Sequence, residues 1–156
     1  MHRCNTGPDH FESRHAGCEG ATAEHVLGYV AGYAALTRSV DHHGDHWVSV
    51  DGPAAGHRVE HRYGYTALTA EPGTVALTSC RDGVDQFLSL DTACGGKTVL
   101  GPIGRVWTEK PEGPPSRLLH ACRAWGERFV SDRPDCEGHT VDGVLGHVVD
   151  APRQVA

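Results

Sequence analysis

Imidazoles and carboxylates crowd one short stretch of the chain. Asp41, His42, His43, Asp45, His46, His57 and His61 all fall between positions 41 and 61 of a chain that has 12 histidines. Neutral imidazole nitrogens and carboxylate oxygens are ligands for zinc and similar metals, so His42, His43 and His46 form a candidate metal set. A metal held there would support a metal-dependent hydrolase centred on this segment. His57 and His61 have the His-x-x-x-His spacing that places two ligands on one helical face, although the flanking residues are only weakly helical. The plain alternative is a set of solvated histidines. No Gly-x-Ser-x-Gly elbow, phosphate-binding glycine loop or zinc-protease helix motif occurs in the chain.

A second constellation pairs an acid with an aromatic residue two positions later and a serine two after that. It recurs four times, as Asp9, Phe11 and Ser13; Asp45, Trp47 and Ser49; Asp85, Phe87 and Ser89; and Glu127, Phe129 and Ser131. Four of the seven serines in the chain occupy this one phase, as do glycines at 20, 56, 96 and 138 and again at 28, 64, 104 and 146. The unit is about 40 residues long, with repeats at about 1–33, 34–73, 74–115 and 116–150 and a tail at 151–156, read as one repeat domain. An active site needs one constellation, whereas identical placements in every repeat serve the fold. The carboxylate is therefore expected to bond backbone amides near a hairpin, the serine to satisfy a neighbouring backbone group, and the aromatic residue to enter the core.

Cysteines sit fourteen positions apart in three repeats, as Cys4 and Cys18, Cys80 and Cys94, and Cys122 and Cys136; an ungapped alignment puts Val40 and Ala54 there in the second. Six cysteines allow fifteen pairings, and the joint loss of both in one repeat selects pairing within each repeat. Each bridge is worth about 3 kcal/mol on the chain-entropy account, and disulfides imply an oxidising compartment outside the cell. The zinc alternative lacks a Cys-x-x-Cys knuckle.

The elements that must position these residues are short. With 20 glycines, 9 prolines and 38% apolar residues, the composition favours strands and turns over a helical bundle. Each repeat reads as a strand, a tight turn such as Asp82-Gly83, an alternating strand, a helical turn or extended arm, and a third strand after the second shared glycine. About twelve strands follow, giving an all-β fold with short helical turns in a closed, propeller-like or trefoil-like arrangement. A net charge of −6 without a basic stripe disfavours nucleic acid, and no apolar run is long enough to span a bilayer. Met1-His2-Arg3-Cys4 enters patterned sequence without an export signal, so any such signal is expected upstream.

The repeat cores resemble an uncharacterised secreted tandem-repeat family with Gly-Asp-His-Phe-x-Ser/Thr motifs and a later Leu-Gly-Tyr, often appended to bacterial and fungal hydrolases. The likeness rests on Asp9-His10-Phe11-Glu12-Ser13 with Leu27-Gly28-Tyr29, and on Gly44-Asp45-His46-Trp47-Val48-Ser49 with Tyr63-Gly64-Tyr65. Gln86 and Arg128 stand where the motif has histidine. The resemblance implies secretion and an accessory role. Together with multivalency it leads to an expected non-catalytic module, without a cofactor, that binds carbohydrate or a cell-surface polymer. The expected ligand contacts are His10, His46, Tyr29, Tyr63 and Tyr65, with both histidines facing away from the core aromatic residue.

Overall fold

The computed structural model describes residues 2–7, 9–13, 18–26, 32–50 and 52–152. It divides into two compact units, Met1–Ala31 with Gln154–Ala156, and Gly32–Arg153. The chain is all-β, and three short 3-10 turns are the helical elements among the described residues.

In the first unit, β1 (His2–Asn5) lies between β2 (His10–Ser13) and β3 (Thr22–Val26), all antiparallel. A 3-10 turn at Cys18–Gly20 precedes β3, and Cys18 is bonded to Cys4.

The second unit holds three sheets of the same design. They are β4 (Tyr33–Val40), β5 (His46–Val50) and β6 (Arg58–Ala67); β7 (Thr74–Asp82), β8 (Asp85–Ser89) and β9 (Thr98–Trp107); and β10 (Ser116–Ala124), β11 (Glu127–Ser131) and β12 (Thr140–Val149). In each, the first strand pairs with both others. The third strands then meet one another pairwise, with Tyr65 opposite Val149, Ala67 opposite Arg105, and Trp107 opposite His147. Pairing in this unit thus joins three sheets around an approximate threefold axis and does not close a barrel. In the third and fourth repeats the segment after the 3-10 turn is extended, so the arm and third strand are one strand, Thr98–Trp107 and Thr140–Val149.

Leu36, Leu77 and Leu119, one from each first strand, are fully buried on the axis with Val48, Leu88 and Val130 from the second strands. Burying such a side chain contributes about 1.5–3 kcal/mol. The period of two in the second strands holds, but the inward face is the opposite of the one expected. Gln86 and Leu88 point to the centre, while Phe129 packs outward over the Cys122–Cys136 bridge. The reason lies in the closure: the axis takes the face with Val48, Leu88 and Val130, and the disulfide gives the aromatic residue a separate small core.

Close approach explains one shared glycine. A Cβ on Gly64 would come within 2.5 Å of the Val149 carbonyl oxygen, one on Gly146 within 2.8 Å of the Trp107 carbonyl oxygen, and one on Gly104 would strike Thr66. All three have φ between 122° and 135°, outside the range of other residues. Each glycine is the place where the next sheet's third strand crosses.

Bridges join Cys4 to Cys18, Cys80 to Cys94 and Cys122 to Cys136, with Cα separations of 5.6–5.7 Å. The second sheet differs by one residue from the ungapped alignment. Cys80 pairs with Phe87 and Cys122 with Phe129, and in β4 the residue opposite Trp47 is Ser39, not Val40. The hairpin of this sheet has one residue more than the other two, which moves the whole strand by one position.

The turn of the third repeat also differs from expectation. Asp82 pairs with Asp85, leaving Gly83 and Val84 at the tip, and of these Gly83 alone has positive φ.

Candidate ligand-binding site

Of the expected metal set, His42 and His43 come together with Asp41, and His46 has other partners. Asp41, His42 and His43 place ligand atoms within 4.8 Å of one another at the β4–β5 turn, with both histidines exposed. Asp41 accepts hydrogen bonds from the backbone N–H groups of His43 and Asp45. His46 is turned inward on β5 instead, with Nδ1 2.8 Å from Glu127 Oε1 and Nε2 3.1 Å from Glu60 Oε2. His57 precedes β6, where its Nδ1 lies 3.1 Å from the Ala55 carbonyl oxygen, and His61 on β6 contacts Asp132 at 3.1 Å. A strand, not a helix, carries His61, so the four-residue spacing brings no two ligands together.

The expected ligand contacts lie in different environments. His10 is exposed in the first unit, 3.3 Å from Glu24. Tyr29 lies outside the described residues. Tyr63 is fully enclosed in the core and its hydroxyl donates to the Val130 carbonyl oxygen, so it has no surface for a ligand. Burial pushes this hydroxyl far above the usual tyrosine range, against the pull of Arg38. Tyr65 is half-buried where β6 meets β12.

The threefold arrangement creates a site that no single repeat shows. The second strands β5, β8 and β11 begin at one end of the axis, and their starts bring together the shared acids Asp45, Asp85 and Glu127. With His46, Val84, Trp125 and Gly126 they line a pocket of 220 Å³. Three equivalent residues in three repeats thus become one constellation. Convergence of this kind has no signal in a linear sequence, because spacing along the chain does not say which strand ends meet.

Two of the three acids hold the frame. Asp85 accepts the Arg128 backbone N–H at 3.1 Å, and Glu127 accepts the His46 backbone N–H at 2.8 Å, each linking one sheet to the next. Burial raises the Asp85 carboxyl above its ordinary range despite the hydrogen bond and charge of Arg128. Gln86 makes a third link, donating to the Val48 carbonyl and accepting from its N–H. The serines work as expected of the motif: Ser89 and Ser131 accept from the backbone N–H groups of Asp91 and Arg133. Asp45 alone differs, since its carboxylate is exposed and has no hydrogen bond or ion pair among the described residues.

Trp125 forms the rim. It is 93% exposed at the β10–β11 turn, where it takes φ 48° and Gly126 takes φ 83°. A turn of this type favours Asn or Gly, and left-handed backbone costs another residue about 1–2 kcal/mol. The turn would be satisfied without the indole, and water exposure adds a second cost. Its ring meets that of His139 edge to face with centroids 4.9 Å apart, and most of the indole stays open to solvent. Val84, 83% exposed, stands at the same pocket.

A wider depression of 780 Å³ in the first unit, against Asn5, Thr6, Gly7, Gly20, Ala21 and Thr22, has no charged or aromatic lining among the described residues. No known protein family, curated protein or solved structure matches the chain.

Proposed function

We propose that the threefold unit is a carbohydrate-binding module, a secreted accessory domain whose site is the pocket beneath Trp125. The observation that carries this reading is the exposed indole at a left-handed turn position that Asn or Gly would fill at lower cost. A flat aromatic face stacks on the apolar face of a sugar ring, and the surrounding carboxylates accept its hydroxyl protons. The pocket suits a single sugar ring of a longer polymer. Secretion is supported by the three disulfides and by the resemblance in the repeat cores.

The test is a glycan array on the oxidised protein followed by Trp125→Asn. The variant should stay within about 1 kcal/mol of the parent in stability, since Asn tolerates left-handed backbone, and should lose binding to every glycan retained on the array. Binding that survives the substitution would place the site elsewhere. A second reading, a metal-dependent hydrolase in the second repeat, draws on the cluster of Asp41, His42 and His43. Metal bound by the same preparation, with hydrolysis abolished by a chelator, would favour it over the first.

A further inference from the structure

We infer that the pocket selects sugars carrying a free amine, and that Asp45 is the residue that selects them. This rests on the carbohydrate reading above.

Three carboxylates line the pocket and no lysine or arginine does. Two are already engaged: Asp85 with the backbone and, at 3.5 Å, the guanidinium of Arg128, and Glu127 with the backbone and imidazole of His46. Asp45 is the exception. Its two equivalents in this unit each reach the neighbouring second strand, while Asp45 follows a turn one residue longer than theirs and makes no such link. The fold has therefore used two copies of the acid and left the third with its negative charge facing the pocket. Trp125 lines the same pocket, and an indole face attracts cations through its ring quadrupole. Carboxylate and indole together match an ammonium group on an apolar ring. The chain's net charge of −6 adds a long-range field of the same sign, favouring cationic polymers and repelling acidic ones.

Two probes differing in one group decide the matter: a glucosamine trimer with free amines and its fully N-acetylated counterpart, titrated calorimetrically in mildly acidic, low-salt buffer. The parent protein should bind the amine trimer at least about tenfold more tightly, and the preference should weaken as salt is added. Asp45→Asn should bring the two affinities to within about twofold, chiefly by weakening the amine trimer. Trp125→Asn should weaken both. Equal affinities in the parent, each dependent on Trp125, would overturn the inference and leave the carbohydrate reading in place. If neither trimer binds and the array retains no glycan, the carbohydrate reading fails and the inference with it. An amine preference unchanged in Asp45→Asn would remove Asp45 from the selecting role.

Discussion

Arg38 ties the second repeat to the fourth through two acceptors at once. It is buried on β4, donates from Nη1 to the Val130 carbonyl at 3.0 Å and to Glu137 at 2.9 Å, and places Nε 2.8 Å from Glu60. Burial works against its charge, but the Tyr63 hydroxyl, Glu137 and Glu60 outweigh it and hold the guanidinium protonated beyond its usual range. Removing one partner of a buried pair leaves the others uncompensated. Glu60 and Glu137 are about a third exposed, so water recovers part of the loss. Arg38→Met is accordingly expected to destabilise the protein by about 2–3 kcal/mol, read as a shift in urea midpoint at unchanged slope. A midpoint within error of the parent would show the network to be dispensable. Nothing in the sequence marks Arg38, because its partners lie 92 and 99 residues away.

At the scale of the strand, register decides where a cysteine could be restored. Ser39 lies opposite Trp47 and Val59 as Cys80 lies opposite Phe87 and Val99, and as Cys122 lies opposite Phe129 and Val141. The Ser39→Cys, Ala54→Cys double variant should form a fourth bridge and gain about 3 kcal/mol on the chain-entropy account. Val40→Cys with Ala54→Cys should remain reduced, since a one-residue shift turns the side chain to the other face of the sheet. Non-reducing peptide mapping of both variants checks this. Bridging in the Val40 variant alone would refute the register. The loss of the bridge in this repeat was legible from residue types, but the longer hairpin that displaces β4 left no gap in the shared pattern downstream.

Across the threefold unit, stability should respond to pH in two stages. His147 has its pKa lowered from the ordinary 6.5, by burial first and then by the positive charge of Lys110. The unfolded chain then binds the proton more readily, so stability falls as pH drops below about 6.5. Asp132 and Glu137 are lowered too. Burial raises each, but His61 and Arg117 outweigh it at Asp132, and Arg38 with Ser131 at Glu137. Their contribution is present above the usual carboxylate range and is lost as pH falls below about 4. Asp85, raised by burial, acts in the opposite direction and softens this second decline. Urea titrations at stepped pH should show both declines, with Glu137→Gln flattening the lower one. Stability that rises steadily on acidification would contradict the assignment.

Residue type and spacing alone determined the disulfide pairing and the alternation of the second strands, because each depends on neighbours a few positions apart. Bridges fourteen residues long in three repeats, and the left-handed glycines at 20, 56, 96 and 138, are local requirements that recur at a fixed phase. Tertiary structure decided which face of each strand turns inward. It enclosed Tyr63 and clamped His46 between Glu60 and Glu127, away from the cluster that Asp41, His42 and His43 form. It also decided that Asp45, Asp85 and Glu127 meet in one pocket. Their meeting depends on the closure of three sheets around an axis, set by burial of Leu36, Leu77 and Leu119 and by the crossings at Gly64, Gly104 and Gly146. Contacts between residues more than 40 positions apart are properties of that closure and carry no periodic signal in the chain.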